Sequence, residues 1–481
     1  MSTQTASAPT QRRGSRNFAI WFFGALGGIL WGYDTGVISG AMLYIPDSFP
    51  LTPLVQGLVV SGLLVGAMLG AALAGRLADP LGRRPLILAG GVVFIVGTLG
   101  SALATGPAML VAFRFVMGVG VGIVSVVVPM YLTELAPKEI RGRLTSLMQL
   151  LVTVGIFLAY LIDFAYSTTH DWRMMIGLGV VPALVLTFGI YTQPESPRWL
   201  VGNKEGGEAD ARAVLIRLRG SEEAADAELA DIKRTIAEES KKAEKVSLRQ
   251  LATGTLRPIF IVGLLLVFFQ NFVGINTIIY YAPTLLVNVG FGAAGAILAN
   301  VGIGAVNMIM TLPGMYLIDK AGRRPLLLYG ALGMCLAMIL LAVVNLAGLA
   351  KGPVVLVLTL VGITLYIASF SISWGPVQWV ALPELFPLRV RAGAVGTCVT
   401  FNWLFNMVVA LVFPILLEVF GAGYNFLFFA LMTLLAFAFV KKLLPETKGR
   451  SLEEIERDLL NRAPGVPPPA ATGSAGATGT A

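Results

Sequence analysis

Asp34 and Arg114 each lie deep inside a long apolar stretch, where charge is least welcome. Between Arg16 and Arg76 the only other charged residue is Asp47, near enough to the end of its run to reach an interface. Between Arg84 and Glu134, Arg114 stands alone. A charge at bilayer depth costs on the order of 2.5 to 3.5 kcal/mol on the insertion scale, so each needs a partner and each is the other's best candidate. Such a pair can do two things. It can fix helix packing as a buried ion pair, or it can handle protons, the carboxyl loading one when Arg114 withdraws and releasing it when Arg114 returns. Intramembrane ionisable groups mark ion and proton pathways by default, which favours the second.

The second half of the chain carries a different chemistry. From Pro258 to Ile318 no residue is charged, yet Gln270, Asn271, Asn276, Asn288, Asn300 and Asn307 accumulate there. Trp374, Gln378 and Trp379 follow in a stretch broken by Gly375 and Pro376, then Asn402, Trp403 and Asn406. Buried amides are expensive unless satisfied, and each offers donors and acceptors. A single buried Asn is usually a helix-to-helix hydrogen bond. The cluster, with an indole face at Trp379 and no countercharge, favours a neutral, hydroxyl-rich solute such as a sugar.

These groups need long apolar elements to hold them. With 56% apolar residues, 13% charged residues and 55 glycines, the chain has too little polar surface for a soluble protein of its length. Apolar runs of about 20 residues read as membrane spans. They fall near 17–44, 54–78, 85–104, 107–133, 144–166 and 172–192, and again near 254–288, 293–318, 325–346, 353–382, 392–420 and 422–444. Six plus six fits an internal duplication. Asp79 to Pro85 returns as Asp319 to Pro325, Glu134-Leu135-Ala136-Pro137 with Arg141 as Glu384-Leu385-Phe386-Pro387 with Arg391, and Pro194-Glu195-Ser196 as Pro445-Glu446-Thr447.

The units predicted are a disordered cytoplasmic N-terminus (1–16), a first six-helix half (17–192), a charged helical linker (193–252), a second six-helix half (253–444) and a cytoplasmic tail (445–481). With both termini inside, 32 of the 35 Lys and Arg residues fall on the cytoplasmic side, as the positive-inside rule requires. The net charge of +8 is then a retention signal and a contact for anionic lipid rather than a nucleic-acid site. Glycines every four residues, Gly24 to Gly40 and Gly62 to Gly70, suit close helix packing. Pro376 lets the tenth span bend or break. The first span is too long for a cleaved signal peptide. Cys335 and Cys398 lie within spans and His170 is the only histidine, so neither a disulfide nor a metal site is suggested. No Walker-type loop or nucleophile elbow is present, and no enzyme activity or cofactor is expected.

The motifs together resemble the sugar porter family of the major facilitator superfamily, over roughly Asn17 to Glu454. They are Gly75-Arg76 with Asp79 and Gly82-Arg83-Arg84, the copy from Asp319 to Arg324, Pro129 with Glu134 and Arg141-Gly142-Arg143, Pro194 to Arg198, and Pro445 to Gly449. The resemblance implies an all-α membrane protein of twelve helices in two six-helix halves that rock about a mid-membrane sugar site. It implies Asp34 as the proton-coupling carboxylate with Arg114 as its modulator. Gln149, Gln270, Asn271, Asn276, Asn307, Trp379 and Asn402 become sugar contacts, with Phe23 and Tyr280 lining or gating the cavity. Asp79, Arg83, Arg84, Glu134, Arg141, Asp319, Arg323, Arg324, Glu384 and Arg391 resemble a cytoplasmic charge network that clamps the halves in the outward-open state.

Two positions depart from the family pattern: Asn271 where a second Gln is usual, and Ile156 where some pentose symporters carry a Gln. The expectation is a monomeric, proton-driven monosaccharide importer of the cell membrane, most simply for D-glucose or a related aldohexose. A proton-independent facilitator is the alternative, and a transport-dead sensor a more distant one.

Overall fold

The computed structural model describes residues 22–23, 26–137, 141–242, 253, 256–347, 352–387 and 390–450, leaving aside the side chains of 141–146, 238–242 and 392. The expected N-terminal segment, Gly24, the chain beyond 450 and the Arg141 side chain lie outside the described residues.

The first half is α1 (Gly27–Ser48), α2 (Pro53–Leu81), α3 (Arg83–Ala102), α4 (Pro107–Leu135), α5 (Arg141–Ala165) and α6 (Trp172–Tyr191). Three short amphipathic helices follow: α7 (Pro197–Asn203), α8 (Gly207–Arg219) and α9 (Glu222–Lys242). The second half begins with a crossing in two pieces, α10 (Arg257–Phe272) and α11 (Ile275–Asn288), followed by α12 (Ala293–Ala321) and α13 (Arg323–Leu346). Another broken crossing, α14 (Pro353–Ile372) and α15 (Trp374–Glu384), precedes α16 (Arg391–Lys442). Gly421, at φ 74° and ψ 169°, divides α16 into two crossings, 391–420 and 422–442. Among the described residues, ten helical stretches are long and apolar enough to cross a membrane. The division at Gly421 and α1, whose only charges are Asp34 and Asp47, bring the described crossings to the twelve expected.

Side chains such as Leu69, Val92, Phe188, Ile309, Tyr329 and Val357 are exposed around the bundle. In water such a girdle would be a liability, but against lipid it is the solvated surface. Inside, the glycine stripe of α1 lies on α5. A Cβ on Gly32 would sit 1.9 Å from the Val152 carbonyl oxygen, and one on Gly40 would sit 2.4 Å from the Asp163 carboxyl carbon. Small residues allow this approach, and dispersion between the backbones is what holds such a seam in lipid.

The duplication is visible atom by atom at the end of the bundle that carries the repeated arginines, here the basic end. Glu195 accepts the backbone N–H of Arg83 (3.2 Å) and Arg84 (3.1 Å) and so caps α3. Glu446 does the same for α13 through Arg323 and Arg324, at 3.0 Å each. A carboxylate at a helix N-terminus satisfies orphan N–H groups and complements the dipole. Arg83 reaches Glu134 (3.0 Å) and Asp79 (3.4 Å), and Arg323 reaches Glu384 (2.8 Å) and Asp319 (3.7 Å). Arg84 donates to the Tyr191 carbonyl, as Arg324 does to that of Lys441.

Every one of these ion pairs therefore lies within one half. The expected clamp between the halves belongs to the outward-open state; in this conformation the described pairs form two separate staples. Arg391 donates to the Phe386 carbonyl at 3.1 Å, also within its own half.

Among the described residues after α6, α8 and α9 pair as a helical hairpin. Arg212 bridges α8 to Glu222 (2.9 Å) and Asp226 (2.6 Å) of α9, and its guanidinium holds the Asp226 carboxyl below the usual carboxylate range. Arg219 pairs with Glu228 at 2.6 Å and donates to the Leu135 carbonyl, tying the hairpin to the end of α4.

Candidate functional site

A cavity of about 90 Å³ lies between the halves, bounded by α1, α5, the breaks of the seventh and tenth crossings, α12 and α16. Gln149, Gln270, Asn271, Asn276, Asn307, Trp379, Asn402 and Tyr280 all line it, so residues from 149 to 402 in the sequence meet at one place.

Two helix breaks make this possible. The seventh crossing opens at Gly274, whose φ of 98° favours glycine. The tenth opens at Ser373 (φ −122°, ψ −88°), just before Gly375 and Pro376. Irregular backbone at membrane depth is tolerated where it is buried in protein or lines a cavity.

The amides form a connected network rather than independent arms. Asn271 Nδ2 donates to Asn402 Oδ1 (2.9 Å) and to the Val267 carbonyl (2.8 Å), while its Oδ1 accepts from Asn276 (3.0 Å). Gln378 donates to the same Asn402 oxygen at 3.3 Å. Asn307 Oδ1 accepts from Ser371 at 2.7 Å, and Asn406 donates to the Tyr280 hydroxyl at 3.4 Å. Gln270 Oε1 and Asn406 Oδ1 are buried acceptors without a hydrogen-bond partner, and both residues face the cavity. A wall with open amide acceptors and no charge is suited to hydroxyl donors.

Trp379 meets Trp31 edge-on, ring centroids 5.9 Å apart, and Trp403 packs on Trp31 at 5.3 Å. Trp31 and Thr35, one turn apart on α1, line the cavity although nothing in the sequence pattern marks them for it. A tryptophan in an apolar run reads as packing; its position beside Asp34 on the glycine-rich helix was the available signal. Trp374 and Gln378, expected in the polar cluster, lie outside the wall. Trp374 is fully buried and donates to the Leu327 carbonyl at 3.0 Å. Phe23 is likewise not at the cavity: it packs against α6 at Gly189, where a Cβ would meet its ring at 2.1 Å. Ile156 is on the wall, as its comparison with pentose symporters assumed.

Asp34 and Arg114 do meet. Arg114 Nη1 is 3.4 Å from Asp34 Oδ1, both side chains are 1% exposed, and Arg114 Nε donates to the Val59 carbonyl at 2.7 Å. Neither residue lines the cavity, but Thr35, next to Asp34, does.

At the end opposite the basic one, the halves touch. Asn300 donates to Ser39 at 3.2 Å, the Tyr160 hydroxyl donates to the Ile279 carbonyl at 3.2 Å, and Gly57 packs under the Leu411 carbonyl.

The family described as sugar (and other) transporter matches residues 20–459. The chain is 42% identical over 449 residues to the glucose transporter GlcP of Staphylococcus epidermidis, covering 93% of this chain and 98% of the relative. It is 41% identical over 442 residues to the D-xylose transporter of Levilactobacillus brevis, covering 92% and 95%. Among solved structures, an inward open conformation of the xylose transporter XylE from E. coli superposes with a TM-score of 0.78 at 32% identity, over 92% of this chain and 99% of that one. With its twelve crossings, duplicated staples and interfacial cavity, the chain belongs to the sugar porter family of the major facilitator superfamily.

Proposed function

We propose that this sugar transporter is a proton-coupled symporter that imports a monosaccharide, D-glucose or a related aldohexose, by alternating access. The observation that carries the reading is the fully buried Asp34–Arg114 pair beside a neutral, amide-lined cavity. A packing ion pair could be replaced by apolar residues at little cost, whereas a proton site needs a carboxyl whose cation can move away. The glucose and xylose transporters among its relatives support the cargo class. Likeness to XylE, a proton:xylose symporter solved with a deoxyglucose analogue bound, supports the coupling.

In this reading Gln149, Gln270, Asn276, Asn307, Trp379 and Asn402 contact sugar. Asn271, whose amide is spent on Asn276, Asn402 and Val267, instead orients the others. Tyr280 gates, and Phe23 braces the start of the first crossing against α6 at Gly189. The basic end is cytoplasmic, both termini are inside and the protein resides in the plasma membrane, because retained Lys and Arg set orientation. The conformation, joined at the far end and stapled only within halves at the basic end, is inward-facing.

Labelled glucose uptake into proteoliposomes, with and without an imposed inward proton gradient, tests the reading. Accumulation above the external concentration only with the gradient is expected. Equilibration to one level in both conditions would make the protein a facilitator and the ion pair a packing element.

A further inference from the structure

One buried acid has no part in the proton site just described. Asp163, near the end of α5, is 1% exposed, and only two features fix its carboxyl. Oδ2 accepts the backbone N–H of Gly40 across the α1–α5 seam at 3.2 Å. Oδ1 is buried and finds no hydrogen-bond partner. The seam is closed around it, since a Cβ on Gly40 would lie 2.4 Å from both Cγ and Oδ2.

Among the described residues no cation serves it. The charged groups on the described elements packed against α5 are Asp34 and Asp47 on α1, Arg114 and Glu134 on α4, Arg173 on α6, and Asp319 and Lys320 at the basic end of α12, where Lys320 lies over the Tyr316 ring. Arg114 is committed to Asp34 and the Val59 carbonyl. Arg173 donates to the Ala104 carbonyl at 3.0 Å and lies over the Trp172 ring at 4.2 Å. On α12, the neighbour from the other half, no residue is charged between Ala293 and Ile318. The remaining titratable groups around Asp163 are phenols. Tyr33 donates to the Met175 carbonyl, Tyr44 to that of Ser167 and Tyr160 to that of Ile279. Their protons already have acceptors, so none stabilises an anion on Asp163.

A carboxylate with a single neutral donor and no counterion is the costly form of a buried acid, and such a group neutralises instead. We propose that Asp163 is a second proton-binding site of this transporter, separate from Asp34 and supplied from the far end of the bundle. The geometry orders the groups toward the exposed end. Tyr44 lies one turn beyond Gly40 on α1 and donates to the Ser167 carbonyl, four residues beyond Asp163, and its ring stacks on His170, centroids 4.4 Å apart. His170 Nδ1 is 3.4 Å from Asp47, and both side chains are more than half exposed. Deeper in, Tyr33 adjoins Asp34 on α1 and donates to the Met175 carbonyl. Six residues, about 9 Å of helical rise, separate Asp34 from Gly40 on α1. Asp47 and His170 at the exposed end, Tyr44 and then Asp163 thus lie in order along the α1–α5 seam toward Asp34, outside the sugar cavity. Protonation attaches one proton to Asp163 and releases none, so the α1–α5 seam holds a neutral acid when closed and must loosen before it can hold an anion.

The test is infrared difference spectroscopy of the full-length reconstituted protein in H₂O and D₂O, following the C=O stretch of protonated carboxylic acids from mildly acidic to alkaline pH. Wild type and Asp34→Asn are expected to keep a deuterium-sensitive protonated-acid band at neutral pH, and Asp163→Asn to lose it. A spectrum of Asp163→Asn that retains the band, or a wild type without one at neutral pH, overturns the proposal. Sugar exchange across liposomes at equal concentrations gives a second readout. Asp34→Asn should keep a pH-dependent exchange rate that the Asp34→Asn/Asp163→Asn double variant lacks, and identical profiles in the two count against Asp163. Loss of all sugar movement would instead refute the transport reading, while the infrared band still decides the proton site. If Asp163→Asn fails to fold, Asp163→Glu should still carry the band at a shifted frequency, and an unshifted band removes Asp163 as its source.

Discussion

Among the described residues Asp34 pairs with Arg114, and in the proposed mechanism removing its charge separates transport from coupling. Asp34→Asn is expected to abolish gradient-driven accumulation while sugar exchange between equal concentrations persists; full accumulation by this variant would exclude Asp34 as the coupling group. Trp379 offers an indole face to the cavity, and Trp379→Ala should weaken sugar affinity about tenfold, about 1.4 kcal/mol, without uncoupling. Isothermal titration or competition binding measures this, and an unchanged Kd would make Trp379 packing only. Glu195 gives a pH prediction. Burial pushes its carboxyl above the usual carboxylate range, against the backbone N–H groups of Ser196, Arg84 and Arg83 and the charge of Arg83. Between the usual and the raised value the folded protein binds more protons than the unfolded chain, so Glu195 contributes stability at low pH that is lost as pH rises through that window. Glu195→Gln should flatten this part of the Tm–pH curve, and an unaltered slope would contradict the assignment.

At the scale of elements, breaks and seams carry the site. Gly274 holds φ at 98°, and a Cβ there would meet the Phe429 ring at 2.9 Å. Gly274→Ala should cost about 1 to 2 kcal/mol from the left-handed backbone alone, seen as a lower Tm together with weakened sugar binding, since Gln270 and Asn276 flank the break. A variant as stable as wild type would mean that the seventh crossing does not depend on this turn. Much of this level was legible in the sequence. Long apolar runs fixed the number of crossings, and Gly375-Pro376 foretold the break in the tenth. The seventh was unmarked because its apolar run continues through Gly274, and hydropathy does not register a φ. The partners of Arg83 and Arg323 were also hidden: a repeated motif says that two sites are alike, not whether each closes on itself or on its twin. Phe23, expected at the cavity, packs on α6, and Trp31, unmarked in the sequence, lines the cavity instead, since an aromatic on a span can face lipid, a neighbouring helix or a cavity with equal ease.

For the whole molecule, the far end is the joined end. In a background of Cys335→Ser and Cys398→Ser, an Ser39→Cys/Asn300→Cys pair, replacing groups 3.2 Å apart, should cross-link readily and stop transport. The cavity should stay open to sugar from the basic end only; sustained transport by the cross-linked protein would show that these helices do not separate during the cycle. The two bodies also divide the polar work. Asp34 and Arg114 belong wholly to the first, whereas the cavity is walled by Gln149, Thr35 and Trp31 from the first and by Gln270, Asn307, Trp379 and Asn402 from the second. A guest in that cavity is therefore a clasp between bodies, and it trades free energy with the proton only through how firmly the bodies meet. Linkage makes that trade reciprocal: whatever factor protonation adds to the hold on the guest, the guest must add to the hold on the proton. Two titrations, one of sugar at fixed pH and one of protons at fixed sugar, must return a single number.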